Sequence, residues 1–232
     1  MRLSTYSIPR IISCADITDD YLAIPRGCED AIRNFLQEKG AEATWIDKTN
    51  HGQPITVSFN GTLKEEQSFA VECLCSESNG ILSATTAFGK TVAAIGMIAK
   101  LKVNTLVLVH TKALLDQWKR ELEKFLTIEY GQEEQVRKRG RKKQFSPIGT
   151  LCSTGDILHG IIDVAIMQSC IKGNEVKPFV RNYGMVIVDE CHHVSAVSFE
   201  QVLSSHLSVQ NQLERKDKNR NGYIAYLTQI LS

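Results

Sequence analysis

An α/β fold with a parallel sheet is what this sequence predicts, and three observations carry the expectation. From Gly61 onward, short apolar runs alternate with amphipathic helical stretches, the pattern of strands covered by helices on both faces. A Gly-Lys-Thr triplet, Gly89–Thr91, follows one such run and opens a helix. About a hundred residues later another run, Met185–Val188, ends in adjacent acids, Asp189 and Glu190.

The elements follow in order. Residues 1–60 read as a small α/β module. Tyr21–Ile24 is a short strand candidate punctuated by Pro25-Arg26-Gly27. Ile32, Phe35 and Leu36 mark one helical face, with Gly40 where a C-terminal cap would sit. Ala43–Ile46 and Ile55–Phe59 flank the turn-rich stretch Asp47–Gln53 and predict a hairpin. Thr62-Leu-Lys-Glu65 has the form of a capping box, and Ala70, Val71 and Leu74 share a face of the helix behind it. Then come strand Gly80–Ala84, helix Thr91–Lys100, strand Thr105–Val109, helix Ala113–Leu126, and strands Asp163–Ile166 and Met185–Val188. Residues 61–206 form the main domain on this reading. The segment 207–232 is set apart as an atypical tail, polar from Ser208 and closing on the apolar run Tyr223–Leu231.

Composition narrows the class. A 43% apolar and 23% charged chain of 232 residues can bury one large core, or a domain with a small appendage. The net charge of +1 says nothing about partners, so any nucleic-acid surface must be a local concentration of charge. Seven scattered cysteines without a CxxC pair predict buried free thiols in a reducing compartment. No signal-like start and no membrane-length apolar run is present, so a cytoplasmic location without membrane partners is expected.

The segment Ala84-Thr85-Thr86-Ala87-Phe88-Gly89-Lys90-Thr91 has the placement a triphosphate site requires. Loop amides and the positive end of a helix converge there on phosphate oxygens. Lys90 would reach the terminal phosphates, and the Thr91 hydroxyl would ligate Mg²⁺. Ala84 stands at the first glycine position of GxxxxGK[ST] and Ala87 where glycine is frequent, which puts left-handed backbone angles there in question. Asp189 and Glu190 at a strand's carboxyl end suit the acidic partner motif: the first acid holds Mg²⁺ and the second orients water.

Together these residues resemble superfamily 2 helicases. Asp189-Glu190-Cys191-His192 is similar to their DExH box, Ala84–Thr91 to motif I, and Thr105–Lys119 to motif Ia. The order and spacing agree across Gly61–Glu200, with the nearest resemblance to XPB-like DEAD/DEAH-box proteins, including the helicase accompanying primases in TOTE-type conflict systems. The resemblance implies a RecA-like P-loop NTPase domain preceded by a small α/β module, using ATP and Mg²⁺ on DNA or RNA. It also implies roles: Gln67 on adenine, residues 85–91 around ATP, and His192 coupling the ATP site to later motifs. His110, Thr111, Gln117, Gln168 and Ser169 align with positions that face the nucleic-acid backbone. Trp118, with Leu114, Leu115, Leu122 and Phe125, forms an apolar helical face and reads as core rather than as a base-stacking platform. Cys191-His192-His193 does not have the spacing of a metal site.

Six positive side chains in seven residues, Arg137, Lys138, Arg139, Arg141, Lys142 and Lys143, either form a solvated loop or touch phosphates. The family's pattern continues past the acidic motif into a strand followed by Ser/Thr-Ala-Thr, but the only such triplet here, Ser83–Thr85, lies inside the phosphate loop. The second RecA lobe, with its arginine motif, is not found in the sequence, so a truncated chain and a partner lobe or primase component are expectations. Two functional readings stand: an ATP-dependent helicase or translocase lobe, and a fragment that binds ATP or nucleic acid without productive turnover. A GTPase is disfavoured because no Asn/Thr-Lys-x-Asp occurs.

Overall fold

The computed structural model describes residues 16–17, 22–23, 28–45, 51–77, 79–129, 146–153, 155–173, 175–191, 202 and 223–229. The chain divides into two compact units, Met1–Asp47 and Lys48–Ser232. In the first unit β1 (Asp16–Ile17) pairs antiparallel with β2 (Leu22–Ala23), and α1 (Glu29–Glu38) follows. Gly40 is left-handed just beyond α1, as its predicted capping position requires. Arg33 stacks its guanidinium 3.9 Å over the Trp45 ring and bonds Glu29 one turn back, which holds the end of this unit onto its helix.

The second unit contains β3 (Thr56–Phe59), α2 (Glu65–Ser76), β4 (Asn79–Ala84), α3 (Lys90–Leu101), β5 (Thr105–Val109), α4 (Lys112–Phe125), β6 (Leu126–Glu129), β7 (Ile148–Cys152), β8 (Gly155–Ile157) and β9 (Ile162–Ile166). The hairpin β10 (Ile171–Lys172) and β11 (Glu175–Val176) comes next, then β12 (Met185–Val188) and β13 (Tyr223–Gln229). The main sheet has the order β4-β13-β12-β5-β9-β7-β8. Its neighbours are parallel except β8, which pairs antiparallel on the edge.

The apolar runs that predicted β5, β9 and β12 are buried on both faces because they lie in the middle of this sheet, whereas β4 on the edge leaves Ile81 exposed. Every residue of β5 and β12 is buried. The period of two sorts them: Val107, Val109, Met185 and Ile187 join the core beneath α3 and α4, while Leu106, Leu108, Val186 and Val188 join a second core with Val180, Tyr183 and Val202. Helix α4 turns Leu115, Trp118 and Leu122 inward at spacings of three and four.

Three expectations change. Ala43–Trp45 forms no strand, so the predicted hairpin with Ile55–Phe59 is not made. β3 pairs antiparallel with β6 instead, with Phe59 stacked on Phe125, and therefore belongs to the second unit rather than to a module ending at residue 60. The capping box also shifts: the helix begins at Glu65, and the Gln67 side chain, not Glu65, accepts the N-cap amide of Lys64 at 3.0 Å. Finally, the segment set apart as a tail supplies β13, whose backbone inserts between β4 and β12 and pairs with both.

The amino ends of the parallel strands are tied by two polar side chains. Asn104, just before β5, uses all four hydrogen-bonding positions: Oδ1 accepts from Gln53 and Gly184 amides, and Nδ2 donates to the Gly160 and Asn182 carbonyls. Asp163 in β9 accepts from the His159 amide, the Gly160 amide and, at 2.5 Å, the Tyr183 hydroxyl. Gly149 in β7 is needed here, since a Cβ would collide with the Asp163 carboxylate. Burial and the adjacent Asp163 charge push the Tyr183 phenol far upward, so it stays a donor. Of the cysteines expected to be buried, Cys152 and Cys170 are, but Cys28 and Cys73 are exposed. Burial raises the Cys170 thiol to about 12 and the half-buried Cys75 to about 11, so neither is a nucleophile at neutral pH.

Candidate nucleotide site

The phosphate loop leaves the carboxyl end of β4. Ala84 remains in the strand, paired with Gln229, and Thr85 continues extended at φ −62°, ψ 163°. Thr86–Phe88 make one tight 3₁₀ turn, closed by the Phe88 amide on the Thr85 carbonyl. Gly89 alone in this loop is left-handed, at φ +81°, and it caps α3. Ala84 and Ala87 are not among the positive-φ residues, so the alanines that stood in question cost the loop no left-handed strain. Gly89 is required twice over, because an added Cβ would also meet Gln67 Nε2 at 2.7 Å.

Gln67 is 5% exposed and serves the loop from outside. Its amide nitrogen donates to the Phe88 carbonyl at 2.7 Å while its oxygen accepts from Lys64. Lys90 Nζ donates to the Ala84 carbonyl at 3.1 Å, placing the ammonium across the loop it belongs to.

Asp189 and Glu190 follow the carboxyl end of β12, two strands from β4 with β13 between them. The Asp189 amide continues the sheet by donating to the Leu108 carbonyl. Its carboxylate takes two donors: the Trp118 indole on Oδ2 at 2.7 Å and the Glu190 amide on Oδ1 at 3.0 Å. Glu190 turns the chain with φ +53°, an unusual conformation for a side-chain-bearing residue. Burial raises the Asp189 carboxyl; the Trp118 hydrogen bond opposes this, the Glu190 charge adds to it, and the Lys90 charge opposes it in turn. Trp118, read from sequence as core packing, is fully buried and is also part of this site. Nothing in the helical spacing signals the second role, which depends on the direction of one N–H.

Of the remaining candidates, four follow the carboxyl ends of β5 and β9, Gln117 lies along α4, and the others fall outside the described residues. His110 and Thr111 leave β5, and the Thr111 hydroxyl accepts the Leu114 amide as the N-cap of α4. Gln117 is exposed on α4, Gln168 is exposed and Ser169 half-buried in the 3₁₀ turn after β9. His192 and Arg137–Lys143 lie outside the described residues. Hard oxygen donors such as the Thr91 hydroxyl and the Asp189 carboxylate suit Mg²⁺. Each Asp189 oxygen holds one donor and keeps a further lone pair, so the residues fit that ion. Among the described residues no group of three His, Cys, Asp or Glu side chains could hold a metal. No helix among them is long and apolar enough to cross a membrane.

Residues 37–217 match the family described as ResIII, type III restriction enzyme, res subunit. The chain belongs to that family. It is an α/β ATPase-type domain of the superfamily 2 helicase class, the amino-terminal lobe of such enzymes. Relatives include "Putative helicase 109L" of Invertebrate iridescent virus 3, 33% identical over 58% of this chain and 39% of the relative. "DNA 3'-5' translocase XPB2" of Sulfurisphaera tokodaii is 27% identical over 59% of this chain and 26% of its own length. This ResIII chain therefore spans well under half of either relative. The UvsW helicase structure from Bacteriophage T4 shares its fold, with a TM-score of 0.57 at 17% identity over 91% of this chain and 73% of that one.

Proposed function

We propose that this ResIII domain is the ATP-binding lobe of a DNA or RNA helicase or translocase of the XPB-like kind. The observation that carries the reading is the pairing of a single left-handed glycine opening α3 with an acidic pair at the carboxyl end of a strand two positions away in the same sheet. In this reading Lys90 leaves the Ala84 carbonyl to neutralise the terminal phosphates, and loop residues 85–91 present amides to them. Thr91 and Asp189 hold Mg²⁺, which when bound screens phosphate charge. Glu190 orients the attacking water, and Gln67, engaged by the Phe88 carbonyl and the Lys64 amide, tethers the loop; reading adenine would require it to leave them. His110, Thr111, Gln117, Gln168 and Ser169, at the ends of β5 and β9 or on α4, follow the nucleic-acid backbone, joined by the basic run 137–143.

Because the chain spans 39% and 26% of the two relatives, strand separation and brisk turnover are proposed to need a second lobe, in cis or in trans. An arginine from such a lobe can supply roughly 10³–10⁵ in rate. The test is binding and turnover on the full chain. Mg-ATP at a hundredfold excess over its dissociation constant should stabilise the fold by about 2.7 kcal/mol, and Lys90→Ala should remove most of the gain. Turnover should stay far below the enzyme median of about 10 s⁻¹. An unchanged melting temperature in millimolar Mg-ATP would overturn the nucleotide reading. Turnover near that median, lost in Glu190→Gln, would overturn the need for a second lobe.

A further inference from the structure

Trp118 sits midway along α4, on the face that packs against the sheet, and is fully buried. An indole N–H is a donor only and, when buried, must find an acceptor. Packing alone would be satisfied by a backbone carbonyl or by phenylalanine. Instead the N–H reaches Asp189 Oδ2, 71 residues away, at 2.7 Å, the short distance of a bond to a charged acceptor. The other carboxylate oxygen is held by the Glu190 amide, and the Asp189 backbone is pinned by the Leu108 carbonyl. With one donor on each oxygen, the plane of the carboxylate is fixed, and its remaining lone pairs are assigned before any cation arrives.

We propose that Trp118 is a positioning residue for the cation site: its indole N–H orients Asp189 so that the carboxylate meets Mg²⁺ in one geometry. The inference rests on the nucleotide reading above. Partners of metal-binding carboxylates typically change metal affinity by about 10–100-fold when removed. The same side chain therefore serves two ends: its ring closes the core under α4, and its one polar atom sets the acid.

The experiment titrates Mg²⁺ against the full chain at fixed, saturating ATP and reads the melting temperature, so it does not depend on turnover. Trp118→Phe keeps most of the apolar volume and removes the N–H. Its Mg²⁺ midpoint should rise by roughly tenfold or more. Leu122→Ala, on the same buried face, should lower the melting temperature with and without Mg-ATP while leaving the midpoint unmoved. Trp118→Phe behaving like Leu122→Ala would overturn the inference and leave the nucleotide reading standing. Failure of the unmutated chain to respond to Mg-ATP would remove both. Should Trp118→Phe not fold, Trp45→Phe leaves Trp118 as the only tryptophan of the two in the chain. Its emission should then shift with Mg-ATP but not with ATP in chelator, and an emission indifferent to Mg²⁺ would also overturn the inference.

Discussion

Two aspartates flank the same central strand and do opposite things. Asp163 lies in β9 on one side of β5, and Asp189 follows β12 on the other. Asp163 is fully buried near the amino end of its strand, where three donors converge on it. Asp189 is half-buried at the carboxyl end of its strand, holds two donors, and faces the like charge of Glu190. One carboxylate is consumed in closing the fold. The other keeps capacity to bind something, and burial without full compensation raises its carboxyl. Burial alone therefore does not separate the two acids; the ratio of donors to lone pairs, and the end of the strand, do.

That contrast is breakable. The largest effect is expected at Asp163→Ala, which strands two amides and the Tyr183 hydroxyl. Denaturant unfolding should show a loss of at least about 3 kcal/mol, roughly 1 kcal/mol per stranded donor. A loss under about 1 kcal/mol would mean that water replaces the carboxylate and that the two acids differ less than their donors imply.

Gly149→Ala tests the same cluster from the neighbouring strand. The new methyl would meet Asp163 Oδ1 and the Ile157 carbonyl, for a cost of about 1–3 kcal/mol. In a double-mutant cycle part of that cost should vanish once Asp163 is already alanine. Full additivity would show that the carboxylate is not what excludes a side chain at Gly149.

The smallest effect has the opposite sign. Asp189→Asn removes a charge that the fold disfavours and keeps an oxygen for Trp118 but gives up the acceptor of the Glu190 amide, so at neutral pH the net stabilisation of the nucleotide-free chain should be small, about 0.5 kcal/mol. The sign of the pH dependence follows from the raised carboxyl. Protonated Asp189 is the form the fold prefers, so its favourable contribution is complete below the unfolded carboxylate value and is lost as pH rises through the raised folded value. The advantage of Asn over Asp should accordingly shrink as pH falls into the carboxylate range. Thermal melts across pH check this, and a variant less stable than the parent at pH 7 would place Asp189 with Asp163 as a structural acid.

The sequence by itself determined the local features. β5 and β12 were readable to the residue because strands buried on both faces must be continuously apolar. The phosphate loop and the acidic pair were readable because tight turns and charged strand ends restrict residue types within a few positions. Tertiary structure decided the rest. It chose β6, not Ala43–Ile46, as the partner of β3, and it drew Tyr223–Gln229 out of an apparent tail into the middle of the sheet. It also gave Asp163 its three donors and Trp118 its acid, leaving one carboxylate saturated and the other with lone pairs to spare. Periodicity reports which face of an element is buried, but not which element lies against it. Strand pairing and the aim of a single buried N–H depend on partners far apart along the chain, 71 residues in the case of Trp118 and Asp189.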